Sequence, residues 1–511
     1  MDDSTKQSYK LAANEYGGRT LVLFLLFLLA VLSLKSAGIA TYAIVCIIPI
    51  MGLFLWATFH YSLFLFGVLM VVNYFISFAA REGFVFLPIS LHNEIIEILL
   101  IALVIVNPGA FKLSNLLNLM GAVLGVWVLF CTLELLNDSC GIGIDVGRWY
   151  TGARLMSMQL LYAFVICTLY VSSPKRIKMF VVMLALLSVF AAFWAWKQKT
   201  IGFDQAEKIF LIRAARTHFV NGVIRYFSVF TDAANFGINM AASAAMFLII
   251  AISCKLPFYR IFCAIVGLIC LWAMFTSGTR TAIICFLAAV FAYIFLAKSL
   301  KIAVPVIIMG GLFFFFMAFT RIGQGNPMIR RMRSAFDPKD ASLNVREINQ
   351  QALKKYMKDA PWGIGIGVEQ DNIPPFNKFK IVSQIPPDSE YVYIWVRTGV
   401  VGITVFLVTT AIMWLGACYI VFFTLKNRSL RGLGAAFCCA FVALQLGGYA
   451  NQILMQFPNA LMFYGSLAIV YVLPKMESEY EEYENRLLPQ QTAKFKNAKT
   501  KLMKKLSWKA R

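Results

Sequence analysis

Long apolar runs separated by short polar breaks occur along almost all of the 511 residues. Several runs reach about 20 residues, the length a helix needs to cross a hydrocarbon core roughly 30 Å thick. Counting the runs predicts about fourteen transmembrane helices. We therefore expect an all-α polytopic membrane protein, with spans centred on Phe27, Ile47, Leu69, Leu99, Leu129, Tyr162, Leu186, Met240, Ile265, Leu287, Ile307, Phe406, Cys439 and Ala468.

Four short connections between these runs are basic and indicate the orientation: 172–178, 254–260, 298–301 and 425–431. Loops rich in lysine and arginine are retained on the cytoplasmic side of a membrane. With about fourteen spans, all four connections fall on the same side as both termini. Both termini are therefore expected to be cytoplasmic.

Two longer polar segments then fall on the outer face. The first is 197–232, and the second, the only domain-sized loop, is expected to be largely helical. The predicted organisation is a cytoplasmic N-terminus (1–19), transmembrane helices (20–196), central transmembrane helices with arginine motifs (197–319), a large outer loop (320–391), C-terminal transmembrane helices (392–474) and a basic cytoplasmic tail attracted to anionic lipid (475–511).

Composition agrees with the membrane assignment and narrows the chemistry. Hydrophobic residues make up 60% of the chain and charged residues only 14%, against about 25% in soluble domains. The eleven cysteines lie mostly inside apolar runs, and the three histidines are dispersed, so neither gives a metal-ligand spacing. We expect no metal, no cofactor and no nucleic-acid partner.

The net charge of +22 includes many arginines in the two outer segments. Arginine near a membrane is energetically costly and commonly functional. The alternative is that arginines extend to lipid headgroups or pair with acids of the same loop. That alternative is favoured for three of them, Arg330, Arg331 and Arg333, whose possible partners are Asp337, Asp340 and Glu347.

Three other arginines share a different context, because each lies at or near a predicted helix start. Arg225 precedes the eighth span, Arg280 opens the tenth, and Arg346 begins an amphipathic helix with Ser342 or Asn344 as its cap. Helix N-termini attract anions, and a guanidinium group binds phosphate oxygens with two donors. This pattern predicts a diphosphate site, to which Arg216 in the first outer segment is a further candidate.

Two carboxylates, Asp388 and Glu390, lie where the large loop returns to the membrane in "PPDSEYVYIWVRTGVVG" (386–402). Each is a candidate proton acceptor, and His218 is a more distant one. The structural alternative is that Asp388 or Ser389 caps the following helix. Upstream, "GIGIG" (363–367) follows a helix and a proline instead of a strand, so it is interpreted as a turn that brings backbone close to the membrane surface or substrate.

Four motifs in this order resemble the O-antigen ligase and O-antigen polymerase superfamily of bacterial envelope glycosyltransferases: "RYFSVFTDAANFG" (225–237), "FTSGTRTA" (275–282), "REINQQALKKYMKDAPWGIGIG" (346–367) and "DSEYVYIWVRTGVVG" (388–402). The resemblance covers roughly residues 200–420. It implies a metal-independent, inverting transfer from a glycan on undecaprenyl diphosphate, with Arg225, Arg280 and Arg346 matching the family arginines that hold the diphosphate. The resemblance also implies a bacterial inner membrane, with the large loop (320–391) as a periplasmic catalytic loop. Implied partners are the lipid-linked donor, a glycan or lipid-linked acceptor, membrane lipids and a chain-length regulator.

The sequence departs from the family pattern at the base, where Asp388 and Ser389 occupy the places of a histidine and an asparagine. An aspartate can accept a proton but is an intrinsically weaker base than histidine. Because ligases are expected to keep the histidine, a polymerase that joins repeat units is favoured over a ligase that uses lipid A core. A flippase or other transporter is the third interpretation, and the absence of repeated halves argues against it.

Overall fold

The computed structural model describes residues 62–84, 89–220, 222–325, 327–333 and 341–509. The predicted spans at Phe27 and Ile47, and the acids Asp337 and Asp340, lie outside these ranges. The structure divides into two units, Met1–Phe66 and Gly67–Arg511. Within the first unit the structure describes only residues 62–66, the start of one helix.

The described part of the chain is built from helices. The helices before the first outer segment are α1 (Ser62–Arg81), α2 (Ile89–Val106), α3 (Leu119–Leu133), α4 (Val146–Ala153), α5 (Gln159–Tyr170) and α6 (Pro174–Thr200). Two short helices follow, α7 (Gln205–Arg213) and α8 (Ala215–His218). The central helices are α9 (Ala233–Ser253), α10 (Pro257–Thr276), α11 (Arg280–Leu296) and α12 (Leu300–Phe319).

The later helices include the predicted outer loop and the final spans. The loop contains α13 (Pro327–Arg333), α14 (Ala341–Met357) and α15 (Lys380–Gln384). The remaining helices are α16 (Glu390–Tyr419), α17 (Arg428–Ala450), α18 (Gly465–Val470) and α19 (Glu477–Lys509).

These helices confirm an all-α membrane protein. Within the described ranges, eight helices are long and apolar enough to cross a membrane, or up to nine if one bent pair is a single span. Two shorter apolar helices, Arg280–Leu296 and Val304–Phe319, add to these. Every predicted span centre from Leu69 onward lies in a helical segment, whereas the count of fourteen and the periplasmic position of the loop remain predictions.

Two local features depart from uninterrupted helices. Strands β1 (Phe219–Val220) and β2 (Val223–Ile224) form a small antiparallel hairpin, which the all-α expectation did not include. The span predicted around Ala468 is broken, with a bend of 62° between Ala460–Val470 and Leu473–Ala493. Most of the residues predicted to form the basic tail are helical, as α19.

Helix α9 lies at the centre of the second unit and packs against α10, α11 and α17. Its sequence is rich in alanine and glycine, and small residues allow transmembrane helices to approach closely. Gly237 shows how close this approach is, since a Cβ there would lie 2.3 Å from the Ser277 Oγ atom. The turn between α10 and α11 is therefore fixed against the first turns of α9.

The "GIGIG" segment lies against a kink in α16. The kink is at Gly399, whose φ of 67° suits glycine, and Ile364 N donates to Val396 O at 2.9 Å while Gly365 N donates to Arg397 O at 3.0 Å. A Cβ on Gly367 would lie 1.9 Å from Arg148 O. The sequence predicted that this segment brings backbone close to the membrane surface or to substrate. In the structure the close approaches are to the backbone of α16 and of Arg148.

Candidate functional site

Arg225 is fixed beside the start of α11 by hydrogen bonds from its guanidinium group. Its Nη1 atom donates to Thr217 O at 2.8 Å, and Nη2 donates to Thr279 Oγ1 at 2.9 Å. Thr279 in turn donates to Ala233 O at 2.7 Å, the first residue of α9. One threonine hydroxyl therefore connects Arg225 to two helix starts.

Arg280 is the first residue of α11, as the sequence predicted. Arg331 reaches the same turn from α13, where its Nε atom donates to Gly278 O at 2.8 Å. The positive charges of Arg280 and Arg331 both lie close enough to Arg225 to lower its pKa. Arg225, Arg280 and Arg331 are called the arginine cluster below.

The arginine cluster concentrates positive charge in a confined place. Burial, together with the charges of Arg331 and Arg280 and opposed by Asp232, lowers the pKa of Arg225 to about 10. The Nε–H of Arg225 is buried without a hydrogen-bond partner among the described residues. A buried, unpaired donor in a field of like charge is an arrangement that an anion would relieve.

Arg331 was not selected from the sequence, which offered three similar arginines in "IRRMR" (329–333). In the structure, two of these arginines, Arg331 and Arg333, bind different partners. The guanidinium group of Arg333 donates to Thr320 Oγ1 at 3.1 Å and to Ile322 O at 2.6 Å, so it closes the end of α12. Charge alone could not distinguish these roles, because they depend on which side of a seven-residue helix faces the turn at Gly278.

Two candidates of the first outer segment lie just before Arg225. Arg216 is in the short helix α8. His218 is buried, with Nδ1 3.2 Å from Ala214 O. Burial lowers the pKa of His218, and the charge of Arg225 acts in the same direction. This favours a neutral, packed imidazole near neutral pH.

Helix α14 carries Arg346 and also holds Asp388. The Nη2 atom of Arg346 donates to Ala450 O at 2.7 Å. Asn349, one turn further along α14, donates from Nδ2 to Asp388 Oδ2 at 2.8 Å. The half-buried Asp388 carboxylate is thus oriented by the same helix that carries Arg346.

The expectation that Arg346 begins its helix is wrong. Helix α14 already includes Ala341, so both proposed caps, Ser342 and Asn344, lie inside it. Arg346 is therefore more than one turn into the helix, at about 3.6 residues per turn. Its contribution to an anion site would come from its own charge, without the helix-start donors that Arg280 has.

Ser389 and Glu390 have structural contacts that separate them from Asp388. Ser389 caps α16, accepting from Tyr391 N at 3.2 Å and donating to Gly448 O at 3.1 Å. Glu390 is 3% exposed, and its Oε2 atom accepts from Leu454 N at 3.0 Å. Backbone N–H groups of Ile453 and Met455 bind the same carboxylate. The capping alternative thus applies to Ser389, and the geometry favours Asp388 over Glu390 as the accessible carboxylate.

The connection after α17, residues 450–459, holds these parts together. Gln452 donates from Nε2 to Pro387 O at 2.7 Å. Asn459 donates from Nδ2 to Asn235 Oδ1 at 2.6 Å and accepts from Asn239 Nδ2 at 2.8 Å. These three asparagines are buried, so their pairing fixes the connection to α9.

The two groups of candidate residues therefore lie at the same end of the central helices. Helix α9 begins beside the arginine cluster, and its Ile238 side chain packs against Gly447 near the end of α17. Arg346 donates to Ala450 O at the end of α17, and Gln452, just after that helix, donates to Pro387 O next to Asp388. The site combines a cationic cluster, a further arginine and an oriented carboxylate, while no group of three or more potential metal-ligating side chains occurs in the ranges that the structure describes.

The structure therefore defines a class of protein. It is a multi-pass helical membrane protein in which arginines and a carboxylate gather at one end. Residues 265–407 match the family model described as O-Antigen ligase. This match confirms, over those residues, the resemblance to the O-antigen ligase and polymerase superfamily. The matched residues include Arg280, Arg346 and Asp388, whereas Arg225 precedes them. No match was found among curated proteins.

Proposed function

We propose that the protein is a polymerase that joins undecaprenyl diphosphate-linked glycan repeat units into polysaccharide on the outer face of the inner membrane. The observation that carries this proposal is the arginine cluster, in which Arg225 keeps an unpaired, buried Nε–H beside the start of α11. A diphosphate leaving group is the anion whose charge this cluster would bind. The family match over 265–407 supports a lipid-linked glycan as the substrate class.

The chemistry needs little beyond charge and orientation. The bond between the anomeric carbon of the donor sugar and the diphosphate oxygen breaks, and an acceptor hydroxyl oxygen bonds to that carbon. Negative charge then grows on the leaving diphosphate, where fixed guanidinium groups stabilise it without rearrangement. Attack from the opposite face of the sugar would invert the anomeric configuration.

Asp388 is the proposed acceptor of the hydroxyl proton. Its Oδ2 atom is held by Asn349 at 2.8 Å, which leaves Oδ1 as the atom that would take the proton. A held carboxylate gives the acceptor hydroxyl a fixed partner and a direction of attack. Glu390 would instead maintain the 450–459 connection that supports Arg346 and Pro387.

Polymerase is favoured over ligase because an aspartate stands where ligases are expected to have a histidine. The test uses purified protein with undecaprenyl diphosphate-linked repeat units and no other acceptor. A ladder of longer lipid-linked glycans is the expected product. Extension that occurs only after lipid A core is added would show a ligase, and an unchanged ladder from Arg280→Ala with Arg331→Ala would refute the arginine assignment.

A further inference from the structure

A second basic pocket lies at the opposite end of the central helices from the arginine cluster. It is about 330 Å³ in volume and is lined by Lys301, Arg428 and Arg431. The hydroxyl groups of Ser253 and Tyr293 lie in the same pocket, 3.1 Å apart. These residues come from the end of α9, the end of α11, and the starts of α12 and α17.

The described lining of this pocket holds no acid to balance its positive charge, and two carboxylates of α19 close to Ser429 and Asn427 bind other groups. Glu484 pairs with Lys255 at 3.3 Å and binds the Ser429 hydroxyl. Glu477 accepts from the backbone N–H groups of Lys426 and Asn427 at 2.7 and 2.6 Å. Both acids are thus engaged outside the pocket.

An apolar groove adjoins the basic pocket, and Tyr293 lines both. The groove is about 560 Å³ in volume and lies among α9, α10, α11 and α12. Its walls are almost entirely aliphatic and aromatic side chains, including Leu268, Val290 and Phe313, with Arg260 the only charged side chain among its described lining residues. A polar, cationic recess is therefore joined to an apolar channel, which matches an amphiphile with an anionic head.

The position identifies which amphiphile fits. The 21 residues of α9 extend about 32 Å at 1.5 Å per residue, close to the thickness of a hydrocarbon core. The basic pocket therefore lies at the other membrane surface from the arginine cluster, beside the basic connections 298–301 and 425–431 that predict the cytoplasmic face. Basic pockets between helices on that face bind anionic phospholipid headgroups.

We propose that this pocket and groove bind an anionic glycerophospholipid of the cytoplasmic leaflet, with its phosphate between Arg428, Arg431 and Lys301. One or more acyl chains occupy the apolar groove past Tyr293. The lipid fills the space between α9, α11 and α12, the helices whose opposite ends carry the arginine cluster. It is a component of the folded protein, separate from the donor lipid, whose diphosphate belongs at the other end.

The test measures which lipids the full-length protein retains after purification from vesicles of defined composition. Vesicles contain phosphatidylglycerol and phosphatidylcholine in equal amounts, and bound lipids are counted by native mass spectrometry. The wild type should retain phosphatidylglycerol selectively. The double variant Arg428→Gln with Arg431→Gln should lose this selectivity by roughly tenfold or more, since losing even one hydrogen bond to a charged phosphate weakens binding by about tenfold.

A matched control removes the same charge from the same face. Lys175 and Lys426 are exposed residues of neighbouring connections, so Lys175→Gln with Lys426→Gln should leave retention unchanged. Gly310→Leu narrows the apolar groove, where Val290 Cγ1 is the nearest atom at 3.9 Å from an added Cβ. This variant should reduce retention of the lipid without altering the basic pocket.

Several results would overturn the proposal. Equal loss of phosphatidylglycerol in the control and pocket variants would show a general surface effect. Retention of phosphatidylcholine to the same extent, or displacement of phosphatidylglycerol by undecaprenyl phosphate, would identify a different occupant. Full displacement by inorganic phosphate, with Gly310→Leu unaffected, would show a site for the free anion alone.

Discussion

The guanidinium group of Arg225 and the hydroxyl group of Thr279 are 2.9 Å apart, although 54 residues separate them in the sequence. Thr279 immediately precedes Arg280 and also donates to Ala233 O. This relationship places one arginine of the first outer segment against another at a helix start. The hydroxyl group of Thr279, a residue that the sequence analysis did not select, therefore helps to fix the geometry of the arginine cluster.

Removing the Thr279 hydroxyl should therefore weaken use of the lipid-linked donor. A hydrogen bond to a charged group contributes about 1.5–3 kcal/mol, so Thr279→Val should lower kcat/KM for the donor by about tenfold to a hundredfold. The measurement is initial rate against donor concentration. Thr276→Val is the matched control, because the Thr276 hydroxyl donates only within its own helix, to Ala273 O at 2.7 Å. Equal effects of the two variants would contradict the role of Thr279.

The arginine cluster should bind inorganic diphosphate in the absence of any glycan. Binding to the folded state at a concentration one hundred times the Kd stabilises it by about 2.7 kcal/mol, which thermal unfolding in detergent would detect as a higher Tm. Arg225→Gln with Arg331→Gln should abolish the shift. Since the pKa of Arg225 is lowered only to about 10, Arg225 stays protonated near neutral pH, and any change of the shift there should follow the titration of diphosphate itself.

The control for this binding is Lys378→Gln, which removes a positive charge that pairs with Asp359 on the protein surface. This variant should keep the full diphosphate shift. A shift of equal size in the wild type and the double arginine variant would mean that diphosphate binds elsewhere.

Asp388 and Glu390 should respond differently to neutralisation. Asp388→Asn should reduce turnover by about 10²- to 10⁴-fold, the usual contribution of a general base, with little change in Tm. Glu390→Gln replaces a buried acceptor of backbone N–H groups and should lower the free energy of unfolding by about 1–3 kcal/mol. Product ladders and thermal unfolding distinguish these outcomes, and near-normal turnover by Asp388→Asn would remove it as the base.

Gly237 should tolerate no side chain, because an added Cβ would lie 2.3 Å from Ser277 Oγ. Gly237→Ala should lower the free energy of unfolding by about 1–3 kcal/mol through overpacking and should also reduce activity by moving Thr279. Ser277→Gly in the same chain should restore part of both losses. Gly125→Ala, where no atom lies within 4 Å of the added Cβ, is the control and should be neutral or slightly stabilising.

The membrane class and most helix positions follow from local sequence, because a span needs a long apolar run and every such run must satisfy its own backbone. Arg280 at a helix start was also predictable, since a glycine and a threonine interrupt two apolar runs immediately before it. The 62° bend between Val470 and Leu473 also has a local signal, because Pro474 and Lys475 end the apolar run beside it.

The choice among similar residues belongs to the tertiary structure. Arg331 and Arg333 differ only by which neighbour each guanidinium group reaches, Gly278 or the end of α12. Glu390 and Asp388 are separated by two residues, yet one is buried against the 450–459 connection and the other faces Asn349.

The sequence by itself determined the polytopic helical class, the excess of arginine in two polar segments, and the returning carboxylates, because these depend on hydrophobicity and charge read in chain order. Only the tertiary structure decided that Arg331 joins Arg225 and Arg280, that Asp388 is the accessible carboxylate, and that a second basic pocket adjoins an apolar groove. These depend on contacts between residues far apart in the chain, which burial and helix packing select and local patterns do not encode.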